Sequence, residues 1–196
     1  MTATTMKQHR DEFNKTTLGF WIYLMTDCVL FASLFATFAV LRGGVAAGPT
    51  GAEIFDLEFV LFETLLLLVS SLTAGFAMLA LRLKSIKLVL FMLAATFLLG
   101  AGFLGLELYE FNQLITEGHG WQTSAFLSSY FTLVGTHGLH IAIGLLWIVV
   151  LMIALWQRGI TNALQKRLTM FSLFWHFLDV IWIFIFTIVY LLGAMA

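Results

Sequence analysis

Six ionisable side chains lie inside long apolar runs of this 196-residue chain. They are Asp27, Glu63, His137, His140, His176 and Asp179. In a lipid bilayer each such group costs several kcal/mol, so each needs a partner and faces protein or water rather than lipid. His137 and His140 are spaced i, i+3, as are His176 and Asp179, so each pair shares a helical face. We therefore expect an interior polar cluster, with Glu63 nearer one end of its helix.

Three chemistries are open to these residues. Two histidine-bearing helices could hold a metal or haem iron with Asp179 as a hydrogen-bonding partner of an imidazole, although a catalytic metal needs three or more convergent ligands. Asp27, Glu63 and the histidines could relay protons, yet the cytoplasmic halves of these helices offer few further carriers. Interhelical hydrogen bonds and ion pairs, worth about 0.6 to 2 kcal/mol each, would instead stabilise the bundle. For Asp27 the simplest partner is a histidine of the fourth or fifth run.

Two further patterns predict helix packing. Trp175 and Trp182 lie seven positions apart, on one face of the last run, which is typical of a packing seam. Small residues at i, i+4 spacing let membrane helices approach closely, and they occur at Ala101-xxx-Gly105 and at Gly138-xxx-Ala142. Both sites are candidates for close backbone contact.

The elements that must position these residues are helices, because each of five apolar runs reaches the roughly 20 residues needed to cross a bilayer. We predict an all-α membrane bundle with five transmembrane helices, preceded by a polar segment at residues 1–17. Residues 18–196 are expected to form a single domain. The helices are predicted at about residues 18–41, 59–81, 86–108, 126–156 and 169–193. A content of 61% hydrophobic and 11% charged residues is outside the range of soluble domains.

Two residue types limit the chemistry further. The single cysteine, Cys28, excludes an internal disulfide and a thiolate metal site.

Glu107 and Glu110 come where the third helix is predicted to end, so we expect them to be solvated. The net charge of −1 gives no indication of a nucleic-acid partner.

Basic residues alternate between the loops and predict the orientation, because loops rich in Lys and Arg stay in the cytoplasm. Only Arg42 lies in a loop predicted to be outside. The residues predicted to be inside are Lys7, Arg10, Lys15, Arg82, Lys84, Lys87, Arg158, Lys166 and Arg167. The N-terminus is therefore predicted to be cytoplasmic and the C-terminus periplasmic.

Four segments together resemble a known family. They are GFWIYLMTDC at 19–28, ELYEF at 107–111, GTHGLH at 135–140 and FWHFLDV at 174–180. In this order they are similar to subunit III of the haem-copper oxidases, with the closest likeness to the cytochrome o ubiquinol oxidase branch. The likeness covers nearly the whole chain, although cytochrome c oxidase members have seven helices rather than five. Asp27 matches the buried glutamate of the family and is shorter by one methylene.

The resemblance implies an accessory subunit of a proton-pumping quinol oxidase in the bacterial inner membrane. Such a subunit stabilises and assembles subunit I without catalytic, cofactor-binding or metal-binding residues of its own. Haem and copper are expected in subunit I, and the implied partners are subunits I, II and IV together with membrane phospholipid. The histidine and aspartate motifs of the fourth and fifth helices look structural in this family.

Two alternatives stay open from the sequence. The chain could be a haem-binding membrane anchor that uses His137 or His140 with His176. It could also be subunit III of a cytochrome c oxidase rather than of a quinol oxidase.

Overall fold

The computed structural model describes residues 3–45, 54 and 56–194, and the side chains of 15–45, 54 and 56–193. Its elements are α1 (Ala3–Leu41), α2 (Leu57–Arg82), α3 (Ile86–Thr116), α4 (Ala125–Arg158), α5 (Asn162–Ile185), a π-helix (Phe186–Leu191) and a short turn, α6 (Leu192–Ala194). Five helical segments are long and apolar enough to cross a membrane, and the described residues contain no strand. The prediction of an all-α bundle with five spans is confirmed.

The helices are longer than the apolar runs that predict them. The largest difference is at α3, which continues to Thr116 instead of ending near residue 108. The fifth span begins at Asn162 and ends in the π-helix, so it is not α-helical throughout. Helix α1 begins at Ala3, within the segment predicted as a polar extension.

Side-chain caps explain where three of the helices begin. Asp56 accepts hydrogen bonds from the backbone N–H groups of Glu58 and Phe59 at the start of α2. Ser124 and Thr161 cap α4 and α5 in the same way. Such caps satisfy backbone donors that have no partner within the helix, and each contributes about 1 kcal/mol.

Four of the helices form a closed ring. Helix α2 packs on α3, α3 on α4, α4 on α5, and α5 back on α2. Helix α1 lies outside this ring and packs on α4 and α5. The polar residues of α2 to α5 that face the ring are therefore shielded from lipid on all sides.

Helix α3 shows how the sequence positions a helix in this ring. Its buried residues alternate at spacings of four and three, the pattern of helices that pack at small crossing angles. They are Val89, Leu93, Thr96, Gly100, Phe103, Glu107, Glu110 and Leu114. The two glutamates thus lie on the same stripe as the apolar core.

Trp175 and Trp182 of α5 fill the centre of the ring. The Nε1–H group of Trp175 donates to Ser70 Oγ of α2 at 3.0 Å, and that of Trp182 donates to Thr64 Oγ1 at 3.0 Å. Both side chains are fully buried, so a hydrogen-bond partner for the indole N–H is required. The predicted packing seam is confirmed.

The two small-residue motifs have different outcomes. A Cβ atom added at Gly138 would lie 2.5 Å from Glu107 Oε1, so α4 and α3 approach closely there. A Cβ atom at Gly105 would meet nothing within 4 Å, so that prediction of a close contact within the chain is wrong. The close approach on α3 occurs at Gly100 instead, against Trp175.

Candidate functional site

His140 and Asp27 join α4 to α1 beside the ring. His140 Nε2 lies 3.8 Å from Asp27 Oδ2, and both side chains are mostly buried. The Nδ1 atom of His140 is 2.7 Å from the carbonyl oxygen of Thr136. Because a carbonyl oxygen has no proton to donate, Nδ1 carries the hydrogen and Nε2 faces the carboxylate. Asp27 thus lies beside a histidine of the fourth helix, as predicted from the sequence.

His137 lies one turn before His140 but in a different environment. Its ring stacks on Trp182 with the centroids 5.2 Å apart and contacts the edge of Phe103 at 6.0 Å. The residue is fully buried, and neither ring nitrogen has a hydrogen-bond partner among the described residues. Phe31 of α1 contacts the rings of both histidines.

His176 is bound by a serine rather than by the expected aspartate. Its Nδ1 atom is 2.6 Å from Ser71 Oγ of α2. Asp179 interacts electrostatically with His176, but its Oδ1 atom makes no hydrogen bond among the described residues. The sequence pattern paired His176 with Asp179 because they share a face of α5. The neighbouring helix supplies a closer partner.

The three histidines therefore contact different parts of the bundle. His140 faces α1, His137 stacks within the ring, and His176 bonds to α2. In the part of the chain that the structure describes, no three His, Cys, Asp or Glu side chains are placed to hold a metal ion.

A second polar group lies in the ring, and the sequence reasoning identified only one of its members. The side chains of Glu63, Glu107 and Glu110, which we call the carboxylate cluster, are all buried. Glu107 interacts electrostatically with Glu63 and with Glu110. The expectation that Glu107 and Glu110 are solvated is wrong, because α3 continues past them and carries both on its buried stripe. The spacing of Phe103, Glu107, Glu110 and Leu114 is the signal that could have revealed this.

Two tyrosines connect the carboxylate cluster to α4 and to the π-helix. The hydroxyl group of Tyr190 donates to Glu110 Oε2 at 3.0 Å. The hydroxyl groups of Tyr130 and Tyr190 are 2.9 Å apart. Glu63 has no hydrogen-bond partner at either carboxyl oxygen among the described residues, and Glu107 has none at Oε2. The cluster is thus only partly satisfied by the chain itself.

Comparison with known proteins shows similarity over nearly the full length. The family model described as cytochrome c oxidase subunit III matches residues 1–194. Cytochrome bo(3) ubiquinol oxidase subunit 3 of Pseudomonas putida is 57% identical over 185 residues, which cover 94% of this chain and 89% of that protein. Cytochrome c oxidase subunit 3 of Bacillus sp. (strain PS3) is 50% identical over 176 residues, or 90% and 85% of the two chains. Quinol oxidase subunit 3 of Bacillus subtilis (strain 168) is 49% identical over 176 residues, which cover 90% of this chain and 86% of that protein.

Proposed function

Because this chain belongs to the cytochrome c oxidase subunit III family of the haem-copper oxidases, we propose that it is the accessory subunit III of a proton-pumping ubiquinol oxidase. The chain is a multi-pass membrane protein and part of a multisubunit oxidase. The observation that carries the proposal is the 57% identity with the ubiquinol oxidase subunit of Pseudomonas putida.

In this proposal the chain stabilises and assembles subunit I and carries no redox centre, while haem and copper reside in subunit I. Several polar groups in and beside the ring have partners within the chain, which is consistent with a structural role. Trp175, Trp182 and His176 bond to α2, and His140 faces Asp27. An absorption spectrum of the isolated polypeptide should lack a Soret band. Stoichiometric haem that is lost on changing His137, His140 or His176 to Ala would contradict the proposal.

The proposed partners are oxidase subunits I, II and IV and membrane phospholipid in the bacterial inner membrane. Helix α1 supports this assignment because only one of its faces packs on the bundle. Its other faces expose Leu18, Ile22, Val29 and Val40. Apolar surface of this extent has to be covered by lipid chains or by another subunit.

Removal of the chain from the oxidase tests the accessory role. In this proposal the bundle acts by covering lipid-facing surface, holding lipid and limiting the motion of neighbouring helices. We expect a complex without it to keep its haem spectrum and much of its initial quinol-oxidising rate, but to inactivate sooner during turnover. The initial rate and the curvature of the progress curve are measured with and without the chain.

Adding the chain back provides the control. Restored lifetime at an unchanged initial rate would support the accessory role. A complex with normal haems, no initial activity and full recovery on adding the chain back would contradict it, because a catalytic element would then lie in this chain. Loss of the haems themselves would indicate an assembly defect, which belongs to the assembling part of the proposed role and not to the lifetime effect.

A further inference from the structure

The carboxylate cluster lacks the partners that buried charges require. Glu63 is 0% exposed and Glu107 is 1% exposed. Three of their four carboxyl oxygens make no hydrogen bond among the described residues. Buried polar groups in proteins are almost always hydrogen-bonded, so each of these oxygens requires an explanation such as a bound water molecule or proton.

No cation is close at hand along the helices that carry the cluster. Arg82 lies at the opposite end of α2 from Glu63, about 28 Å away at 1.5 Å per residue. Lys87 lies in the first turn of α3, about 30 Å from Glu107 on the same scale. The members of the cluster interact electrostatically with one another, with Asp56 at the start of α2, with Tyr130 of α4 and with Tyr190 of the π-helix. His137 of α4 lies next to Gly138, against which the Glu107 carboxyl group packs.

Three neighbouring carboxylates cannot all be ionised in such a place. Burying one ion without a counter-ion costs several kcal/mol, and like charges at close range add to that cost. A protonated carboxyl group avoids the charge and gains a hydrogen-bond donor. Water can satisfy the remaining acceptors where it finds two to four polar partners, and the unpaired atoms of Glu63, Glu107 and His137 provide such partners.

A cavity at the end of the bundle reaches one member of this cluster, Glu110. It has a volume of about 120 Å³ and lies at the end opposite the Leu83–Ser85 turn. Its polar lining comes from Asp56, Tyr109, Glu110, Gln113 and Glu117. A water molecule takes about 30 Å³ in the liquid, so the cavity has room for several. Glu110 lines the cavity and also belongs to the cluster, which connects the two.

The π-helix lies beside this connection. π-helical segments are rare and are often found at functional sites. Here the segment Phe186–Leu191 holds Tyr190 fully buried, with its hydroxyl group bonded to Glu110 and adjacent to that of Tyr130. Hydroxyl groups both donate and accept hydrogen bonds, so this pair extends the polar connection from α3 to α4.

We propose that Glu63, Glu107 and Glu110 form an internal site that holds protons and water, filled through the cavity beside Gln113. The ligand is hydronium: an O–H bond forms at a carboxylate oxygen while one O–H bond of hydronium breaks, and the water that is left stays in the cavity or the cluster. His137 lies next to Gly138, which the Glu107 carboxyl group approaches closely. The site concerns the interior of this chain alone, so it does not depend on which electron donor the complex uses.

Infrared spectra of the purified oxidase complex test the proton. Protonated carboxyl groups give a carbonyl band that shifts in D₂O. We expect Glu63→Gln or Glu107→Gln to remove intensity from this band, while the matched control Glu58→Gln, on the exposed face of α2, leaves it unchanged. An unchanged band in both Glu63→Gln and Glu107→Gln would overturn the proposal. Gln has nearly the shape of Glu and no charge, so these variants should fold.

The route of entry is tested by the rate at which the band shifts after mixing with D₂O. Gln113→Trp fills the mouth of the cavity and should slow the shift at least tenfold. Asn112→Trp is the matched control, because Asn112 is exposed and does not line the cavity. Equal rates in the two variants would show that protons do not enter here.

A high-resolution structure of the unmodified complex tests the site without any substitution. We expect ordered water within hydrogen-bonding distance of Glu63 and Glu107. A lysine or arginine of another subunit placed against these carboxyl groups, or a dry cluster, would overturn the proposal.

Discussion

Gly100 of α3 offers a sharp test of the packing described above. A Cβ atom at this position would lie 2.8 Å from Cζ2 and 2.9 Å from Cη2 of Trp175, and 3.1 Å from Leu145 Cδ2. The indole ring has no free space on its other side, since a Cβ atom at Gly144 of α4 would lie 2.7 Å from its Cζ3 atom. Its Nε1–H group is also held by Ser70. Gly100→Ala should therefore force the ring or the helix to move.

The size of the effect follows from two opposing contributions. Carbon atoms are normally at least about 3.5 Å apart, so the new contact falls short by roughly 0.7 Å. Extra methyl groups in a well-packed core cost about 1 to 3 kcal/mol, while Ala in place of Gly favours a helix by up to about 1 kcal/mol. We expect a net loss of about 1 to 2 kcal/mol, which lowers a midpoint temperature by roughly 2 to 8 °C.

The assay is the temperature at which half of the subunit has dissociated from the purified oxidase, measured by native electrophoresis. Gly102→Ala and Gly105→Ala are matched controls on α3, because a Cβ atom at either position meets nothing within 4 Å. Both should be neutral or slightly stabilising.

A double-mutant cycle assigns the effect to the indole ring. In a Trp175→Phe background the atoms that clash are absent, so Gly100→Ala should lose most of its cost. A midpoint for Gly100→Ala that equals those of the two controls would refute the reasoning. An unchanged cost of Gly100→Ala in the Trp175→Phe background would refute it as well, because the indole ring would then not be the source of the effect.

Three further predictions follow from the same structure and sequence. Alkaline phosphatase fused to the C-terminus should be active and a fusion in the Gly159 loop inactive, because basic loops stay in the cytoplasm; the reverse result would overturn the predicted orientation. Asp27→Asn keeps a polar side chain of nearly the same shape opposite His140, so it should leave subunit association intact. Association is measured by co-purification. Normal assembly with a large loss of proton pumping would instead favour a relay role for Asp27. Ser70→Ala leaves the indole N–H of Trp175 unpaired and should cost about 1 to 2 kcal/mol in the dissociation assay. The control is Ser33→Ala at an exposed position of α1, which should cost less. Equal costs would show that the bond between Trp175 and Ser70 contributes little.

Of the polar residues that the sequence singled out, Asp27, His140 and His176 face polar partners. Glu63 and His137 make no hydrogen bond among the described residues. Asp27 was correctly expected to lie beside a histidine, although its Oδ2 atom makes no hydrogen bond among the described residues. The partner of His176 came from α2 rather than from its own helix. Spacing along one helix shows which residues share a face of that helix. It does not show which residue of a neighbouring helix, such as Ser71, lies opposite them.

The carboxylate cluster shows the main limit of reading apolar runs. Glu107 and Glu110 come at the end of the third apolar run, where charged residues usually mark the end of a span. In the structure they lie on the buried stripe of a helix that continues for two more turns. Their spacing from Phe103 and Leu114 indicates that they are buried, whereas the average hydropathy of the segment does not.

The sequence alone determined the five spans, because only a helix of about 20 apolar residues satisfies its backbone hydrogen bonds within the hydrocarbon layer. It also determined that the buried ionisable groups need partners, since their desolvation cost does not depend on the arrangement of the helices. Only the tertiary structure decided which groups meet. In helices that are apolar on every side, lipid and protein faces have similar hydropathy, so hydropathy does not define the rotation of each helix or its neighbours. That choice is made by shape: Trp175 fits only where Gly100, Gly144 and Ser70 leave room for its ring and a partner for its N–H group.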